Sequence, residues 1–183
     1  FPGGFPLLGY GLTETNAVGC GNFNENYLAK PGSTGRASKP MVDLAILDDA
    51  GNPLPNGQVG EVSIRSVANF RGYWKNDEAT AAAFTANGYF RTGDIGHLTP
   101  EGALVITGRK KDLIIRGGEN ISAKEIEDVL HTHPAVRETA VVAMPHPRLG
   151  EGICAFIIPK DASRPNIADI TAFVSDAGLA KQK

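Results

Sequence analysis

The segment Thr107–Glu127, TGRKKDLIIRGGENISAKEIE, decides how this chain is organised. A short apolar run, LII, lies between a charged stretch and the pair Gly117-Gly118. Ser122 and Glu125 then stand at the spacing of a capping box, in which each side chain reaches the other residue's backbone N–H at the start of a helix. The segment therefore predicts a charged joint, a strand, a glycine loop and a helix start, with polar groups gathered where the chain bends.

Upstream of this segment, the pattern predicts short strands separated by turns. The stretch 21–35 is rich in Gly, Asn, Ser and Pro and is typical of a loop. A helix is expected from Asn76 or Asp77 to about Phe84, because Asn and Asp are good helix N-caps. Short strands with turns between them predict a small β-barrel-like subdomain. The predicted strands are Met41–Leu47, Val59–Arg65, Ile95–Leu98 and Ala103–Thr107.

Downstream of the segment, helices alternate with strands, which predicts a small α+β domain. The predicted helices are Ala123–His131 and one that starts at Asn166 and stops at Gly178, and the predicted strands are Val136–Met144 and Gly152–Ile158, joined by a rigid loop. The stretch HTH at 131–133 is interpreted as an exposed helix end. We place the boundary at Lys111, so residues 1–110 form a β-rich domain and residues 111–183 a small C-terminal domain that is incomplete at its end.

Composition excludes several classes of function. The 183 residues allow one domain or two small ones, and a hydrophobic fraction of 42% allows a core. A net charge of -2 gives no electrostatic case for a nucleic-acid partner. No apolar run approaches the roughly 20 residues of a transmembrane helix. Cys20 and Cys154 stand far apart, which argues against a disulfide framework or a zinc site and favours a reducing cytoplasm.

Five blocks of sequence together resemble the AMP-forming adenylating enzymes, a superfamily that includes acyl-CoA synthetases, adenylation domains of peptide synthetases and firefly luciferase. The junction segment quoted above carries the first resemblance. The others stand in the family's order over nearly the whole chain. They are Tyr10–Thr15 (YGLTET), Gly60–Val62 (GEV), Gly72–Trp74 (GYW) and Phe90–Asp94 (FRTGD), where Phe replaces the family's Tyr.

The resemblance implies the C-terminal portion of an ATP-dependent acid–CoA ligase. Such an enzyme uses ATP and Mg²⁺ to activate a carboxylic acid as acyl-AMP, and then transfers the acyl group to CoA. The form R-G-G-E-N-I is more similar to acyl-CoA synthetases than to peptide-synthetase domains. An adenylation domain of a peptide synthetase or an aryl-acid ligase is the alternative enzyme. A non-catalytic nucleotide- or CoA-binding module is the alternative from another class.

Three residues are candidates for nucleotide binding. The Asp94 carboxylate can accept two hydrogen bonds side by side, which suits the neighbouring hydroxyls of a ribose, and the resemblance implies this role. The Arg109 guanidinium is always charged and rich in donors, and the family's arginine at this position contacts the nucleotide. Tyr10 would lie against the adenine. The alternatives are a turn aspartate that bonds its own backbone and a surface arginine.

Thr13 and Glu14 are the candidate catalytic residues near the phosphates. The Thr13 hydroxyl can donate to the α-phosphate, and the Glu14 carboxylate can hold Mg²⁺, which keeps several waters and takes few protein ligands. Without the resemblance, the alternative would rank first, namely that residues 13–15 merely cap a helix.

The junction supplies candidates for a hinge and for CoA binding. Lys111 matches the family's hinge residue, at which the C-terminal domain turns between the adenylating and the thioester-forming pose. Gly117 and Gly118 lack Cβ atoms and match the loop that lines the pantetheine path, and Arg148 is a candidate for a CoA phosphate. A solvated lysine pair at 110–111, a plain glycine turn and an ordinary loop arginine are the alternatives.

Two parts of the family's active site are not found in this sequence. The family's phosphate loop would precede Phe1, and its catalytic lysine would follow Lys183. Lys181 and Lys183 lack the Gly-Lys context of that lysine and are not assigned its role. We therefore expect residues 1–183 alone to be inactive.

Overall fold

The computed structural model describes residues 4–161 and 165–179; Lys181 and Lys183 lie outside the described residues. The described strands are β1 (Leu7–Tyr10), β2 (Cys20–Phe23), β3 (Arg36–Ala37), β4 (Val42–Leu47), β5 (Gly60–Ser66), β6 (Phe90–Leu98), β7 (Leu104–Arg109), β8 (Leu113–Arg116), β9 (Glu119–Ser122), β10 (Val136–His146) and β11 (Gly150–Pro159). The described helices are α1 (Asn24–Ala29), α2 (Asp77–Ala83), α3 (Ala123–His131) and α4 (Ile167–Asp176), with 3₁₀ turns at Thr13–Thr15 and Lys110–Asp112.

The chain divides into two compact units, Phe1–Ile106 and Thr107–Lys183. The domain boundary at Lys111 stays a prediction. No helix in the described part of the chain is long and apolar enough to cross a membrane.

The strands form three antiparallel sheets, in the orders β1-β2-β3, β4-β5-β6-β7 and β10-β11-β8-β9. Mixed α+β architecture with few helices is therefore confirmed. The described residues close no barrel, so a barrel-like form of the first unit is not confirmed.

The core cluster of the first unit contains residues of strands β2, β4, β5 and β7. Ile46, Val62 and Leu104 are almost fully buried and pack in one cluster. The predicted alternation of β5 is not observed, because four consecutive residues, 61–64, are buried. A strand that is covered on both faces loses the period of two that a half-buried strand shows.

The second unit is built as predicted around helix α3. Ser122 caps the helix by accepting a hydrogen bond from the N–H of Glu125 at 3.3 Å. The buried face of α3 contributes Ile126 and Leu130 to a cluster with residues of β8, β9 and β10. Asn166 caps α4 in the same way, since its Oδ1 accepts from the N–H of Asp169 at 2.8 Å.

Several local predictions are wrong. Residues 21–35 are not one loop, because β2 runs directly into α1 through Asn24, whose φ of 55° turns the chain. The predicted rigid loop 145–151 is mostly strand, since β10 extends to His146 and β11 begins at Gly150. The predicted exposed helix end at 131–133 is wrong for His133, which is only 9% exposed. Its ring packs edge-on against the ring of Phe173, with the ring centroids 4.6 Å apart.

Candidate functional site

Tyr10 and Asp94, which are 84 positions apart in sequence, are brought together in the first unit. The Tyr10 hydroxyl, at the end of β1, donates a hydrogen bond to Oδ2 of Asp94 at 2.7 Å. The Asp94 carboxylate lies on β6 and is only 5% exposed. Burial raises the pKa of Tyr10, so its hydroxyl stays a donor at neutral pH. Such a charge-assisted bond fixes a carboxylate more firmly than a neutral one does.

Asp94 lies at a bulge inside β6, whereas the predicted strand begins only at Ile95. Pairing passes from Glu61 opposite Ile95 to Ser63 opposite Arg91, so one residue of β5 faces three of β6. Gly93 takes a φ of 73°, a left-handed conformation that favours glycine. Bulges of this kind redirect a side chain from the regular face of a sheet.

Thr92 stabilises the backbone of the bulge. Its hydroxyl donates to the carbonyl of Val62 at 2.7 Å and accepts from the N–H of Asp94 at 3.1 Å. The backbone on the N-terminal side of the Asp94 side chain is thereby fixed to both strands.

Glu61 also holds the bulge, a role that was not predicted from the sequence. Its carboxylate, 6% exposed, accepts from Arg91 Nη1 at 2.9 Å and from the N–H of Gly93 at 3.3 Å. A buried carboxylate needs such partners, because an unpaired buried charge is costly. The signal that could have revealed it is an acidic residue inside an apolar strand.

The candidate catalytic residues Thr13 and Glu14 lie in the 3₁₀ turn that follows β1. Thr13 is exposed and Glu14 is half-buried. The fully buried Thr15 anchors the turn, because its hydroxyl accepts from the N–H of Leu12 at 3.0 Å and donates to the carbonyl of Leu12 at 3.1 Å. The turn is a short 3₁₀ segment with its own internal hydrogen bonds.

The contacts of Glu14 are compatible with the predicted Mg²⁺ role, which stays a prediction. The Tyr73 hydroxyl donates to its Oε1 at 3.1 Å, and no ion pair to Glu14 is found within residues 4–161 and 165–179. Over the same residues there is no group of three or more His, Cys, Asp or Glu side chains that could hold a metal. Mg²⁺ bound with phosphates requires only one or two carboxylates, so a single glutamate fits this chemistry.

In the second unit, the remaining candidates lie on its surface. Arg109 ends β7, and Lys111 lies in the 3₁₀ turn that follows; both are exposed. Gly117 and Gly118 form the two-residue turn between β8 and β9, with φ of 61° and 87°. Two positive φ values in a hairpin turn favour glycine with or without a ligand beside the turn. This supports the alternative that Gly117 and Gly118 form a plain glycine turn.

The three CoA candidates lie close together. The N–H of Gly117 donates to the carbonyl of Leu149 at 2.9 Å, in the turn between β10 and β11 that also carries Arg148. A Cβ added at Gly118 would meet no atom within 4 Å, so the space beside this turn is open. The arrangement is compatible with a ligand path, and the CoA role stays a prediction.

Two sequence families match this chain. The AMP-binding enzyme family matches residues 3–74, and the AMP-binding enzyme C-terminal domain matches residues 125–181.

Known relatives agree with these matches. The chain is 43% identical over 149 residues to a 2,3-dihydroxybenzoate-AMP ligase of Bacillus subtilis, covering 81% of this chain and 28% of the relative. It is 38% identical over 182 residues to a medium-chain fatty-acid–CoA ligase of Escherichia coli, covering 98% of this chain and 32% of the relative. The crystal structure of ATP-bound MatB from Rhodopseudomonas palustris superposes with a TM-score of 0.87 at 36% identity, covering 97% of this chain and 35% of that one.

The chain spans about a third of the length of the relatives it matches. Family, relatives and fold agree across both units. The chain belongs to the family of AMP-binding, adenylate-forming enzymes.

Proposed function

We propose that the protein carrying this chain is an ATP-dependent acid–CoA ligase. In the first step, a carboxylate oxygen of the acid bonds to the α-phosphorus of ATP, and the bond to the β-phosphate breaks, which releases pyrophosphate. In the second step, the thiol of CoA bonds to the acyl carbon, loses its proton, and AMP leaves. Relatives whose names describe acid–CoA ligases and acid–AMP ligases support both steps.

The observation that carries the proposal is the buried Asp94 carboxylate held against the Tyr10 hydroxyl. A carboxylate has about four acceptor positions, so it can accept from Tyr10 and from the two hydroxyls of a ribose as well. The bulge and its Glu61 and Thr92 contacts hold this group before a ligand arrives. Preorganised acceptors of this kind lose little entropy on binding.

The phosphates are assigned to the turn at Thr13 and Glu14. The Thr13 hydroxyl donates to the α-phosphate, and the Glu14 carboxylate binds Mg²⁺, which neutralises charge on the phosphates when it is bound. Arg109, at the end of β7, is the candidate for a positive charge that contacts the nucleotide. The tyrosine ring of Tyr10 borders the adenine.

We propose that residues 111–183 act as a mobile domain with Lys111 as its hinge. Residues 1–110 then form the barrel-like subdomain at the end of the large adenylating domain. An exposed lysine in a one-turn segment between two strands can change its φ and ψ without disturbing a core. The turn at Gly117 and Gly118, with Arg148 beside it, would border the pantetheine and phosphates of CoA. Cys20 and Cys154 are free thiols, which supports a reducing compartment such as the cytoplasm.

The test is a pyrophosphate-exchange screen on the protein at its full natural length. Labelled pyrophosphate is incubated with ATP and a panel of aliphatic and aromatic acids, and label in ATP is counted. Acid-dependent exchange, followed by acyl-CoA formation when CoA is added, is expected. Exchange without any acyl-CoA would remove the CoA step from the proposal.

An aryl-acid or peptide-synthetase adenylation enzyme is the second candidate, because a 2,3-dihydroxybenzoate-AMP ligase is among the relatives at 43% identity. It predicts exchange with aromatic or amino acids and transfer to a carrier-protein thiol in place of CoA. A non-catalytic binding module predicts nucleotide or CoA binding with no exchange for any acid. The same pyrophosphate-exchange screen distinguishes the acid–CoA ligase, the adenylation enzyme and the non-catalytic binding module.

A further inference from the structure

The turn that carries Glu14 is braced by a second segment, residues 68–73, which joins β5 to α2. The side-chain amide of Asn16 donates to the carbonyl of Ala68 at 2.7 Å. The N–H of Phe70 donates to the carbonyl of Glu14 at 2.7 Å. The Tyr73 hydroxyl donates to Oε1 of Glu14 at 3.1 Å. The Phe70 bond holds the backbone of the turn, the Asn16 bond holds the side chain of the residue that ends the turn, and the Tyr73 bond holds the carboxylate itself.

Tyr73 is anchored although it is 39% exposed. Its ring stands edge-on to Phe70, with centroids 4.9 Å apart, and Phe70 in turn contacts the rings of Phe84 and Phe90 at 5.6 and 5.4 Å. Its N–H donates to the Thr80 hydroxyl on α2 at 2.9 Å. The hydroxyl is therefore presented to Glu14 from a position fixed by packing and by a backbone bond.

The chemical character of the pair also suits positioning. A tyrosine hydroxyl can donate and a carboxylate can only accept, so this hydrogen bond has one direction, from Tyr73 to Glu14. A glutamate side chain has many rotamers in solution and loses that freedom when it binds a ligand. A bond that selects one rotamer in advance reduces this loss.

We propose that Tyr73 is a positioning residue for Glu14, holding its carboxylate ready for the Mg²⁺ that accompanies ATP. This inference rests on the proposed function, which gives Glu14 its metal. The Tyr73 hydroxyl occupies one carboxylate oxygen and leaves the carboxylate its negative charge. Tyr73 thereby links the aromatic cluster of Phe70, Phe84 and Phe90 to the phosphate end of the nucleotide site.

The experiment compares Tyr73→Phe with the wild type at full natural length. Tyr89→Phe is the matched control, because the Tyr89 hydroxyl donates to Asp43 Oδ2 at 2.6 Å in the same unit, and neither residue belongs to the proposed site. Binding of Mn²⁺, used in place of Mg²⁺, is measured by electron paramagnetic resonance of the free ion in the presence of saturating ATP. Thermal unfolding is recorded for each variant.

We expect Tyr73→Phe to weaken Mn²⁺ binding by about threefold to tenfold, the range of an ordinary hydrogen bond, because the pair is partly exposed. Tyr89→Phe should leave it unchanged. In a Glu14→Gln background, Tyr73→Phe should have no further effect, because its action passes through the carboxylate. The affinity for ATP without metal should not change.

Equal Mn²⁺ affinity in the wild type and Tyr73→Phe overturns the inference, as does a full additional loss in the Glu14→Gln background. A lowered melting temperature with unchanged Mn²⁺ affinity assigns Tyr73 a structural role only. Pyrophosphate exchange is measured on the same samples. Wild-type protein that binds Mn²⁺ with ATP but exchanges with no acid overturns the proposed function and leaves the comparison of Tyr73 and Tyr89 valid.

Discussion

Replacing Glu61 by alanine should both destabilise the chain and weaken nucleotide binding, because Glu61 holds the bulge that carries Asp94. The substitution removes a carboxylate that is 6% exposed and deletes the acceptor for Arg91 at 2.9 Å and for the N–H of Gly93 at 3.3 Å. Breaking a fully buried ion pair from one side costs about 3–5 kcal/mol. The Arg91 side chain is 23% exposed and can turn towards water, so we expect about 2–3 kcal/mol here.

Thermal unfolding of the 183-residue chain, followed by circular dichroism, measures this loss. At roughly 2–4 °C per kcal/mol for a chain of this size, Glu61→Ala should lower the melting temperature by about 5–10 °C. Glu61→Gln keeps the side-chain volume and one acceptor, and should lower it by less. The control is Glu101→Ala, whose partner Lys30 is half-exposed, and no measurable shift is expected there.

The effect on binding follows from the geometry of the bulge. Without Glu61, Gly93 loses one of the contacts that hold its left-handed conformation, and the Asp94 carboxylate loses part of its preorganisation. ATP affinity of the full-length protein, measured by calorimetry below the melting temperature of the variant, should therefore fall. A Glu61→Ala variant that is no more destabilised than Glu101→Ala, or that loses stability but keeps the ATP affinity of the wild type, would contradict this prediction.

Three further predictions concern the junction, the isolated chain and the thiols. Lys111→Pro in the full-length protein should impair thioester formation far more than adenylation, because proline fixes φ at the hinge, and an equal fall of both half-reactions in separate assays would contradict this. Purified residues 1–183 should not exchange labelled pyrophosphate into ATP with any acid, since the chain spans about a third of its relatives; acid-dependent exchange would show that the site is misplaced. Burial raises the pKa of the Cys20 thiol from 9.0 to about 12, so its thiolate is about a thousandfold scarcer at pH 8. Iodoacetamide should therefore label the partly exposed Cys154 first and Cys20 only after urea is added, as measured by mass spectrometry.

The parts of the structure that follow from local chemistry could be predicted from the sequence. Helix α3 begins and ends where the capping pattern and the apolar spacing place it, because a cap is satisfied within four residues. Helix α4 follows for the same reason. Strand β9 was missed, because its sequence ENIS has no strand pattern and it exists through pairing with β8 across the glycine turn.

The site could be predicted in part. The motifs identified Tyr10 and Asp94 as candidates, but their hydrogen bond joins residues 84 positions apart, and no local pattern encodes such a contact. The bulge at Gly93 depends on Glu61, 32 positions away, and the burial of His133 depends on Phe173. Contacts of this kind are decided by how the elements pack, which is why tertiary context overrides local patterns.

In the proposed function, the Asp94 carboxylate binds the ribose of ATP, and calorimetry with a nucleotide that lacks the ribose hydroxyls measures that contact. ATP and 2′,3′-dideoxy-ATP are titrated into the full-length wild type and into Asp94→Ala, with melting temperatures as a control for folding. We predict that the wild type prefers ATP by at least about tenfold, from hydrogen bonds to a charged acceptor, and that Asp94→Ala binds both nucleotides equally weakly. An Asp94→Ala variant that is folded and still prefers ATP as much as the wild type does would contradict the claim.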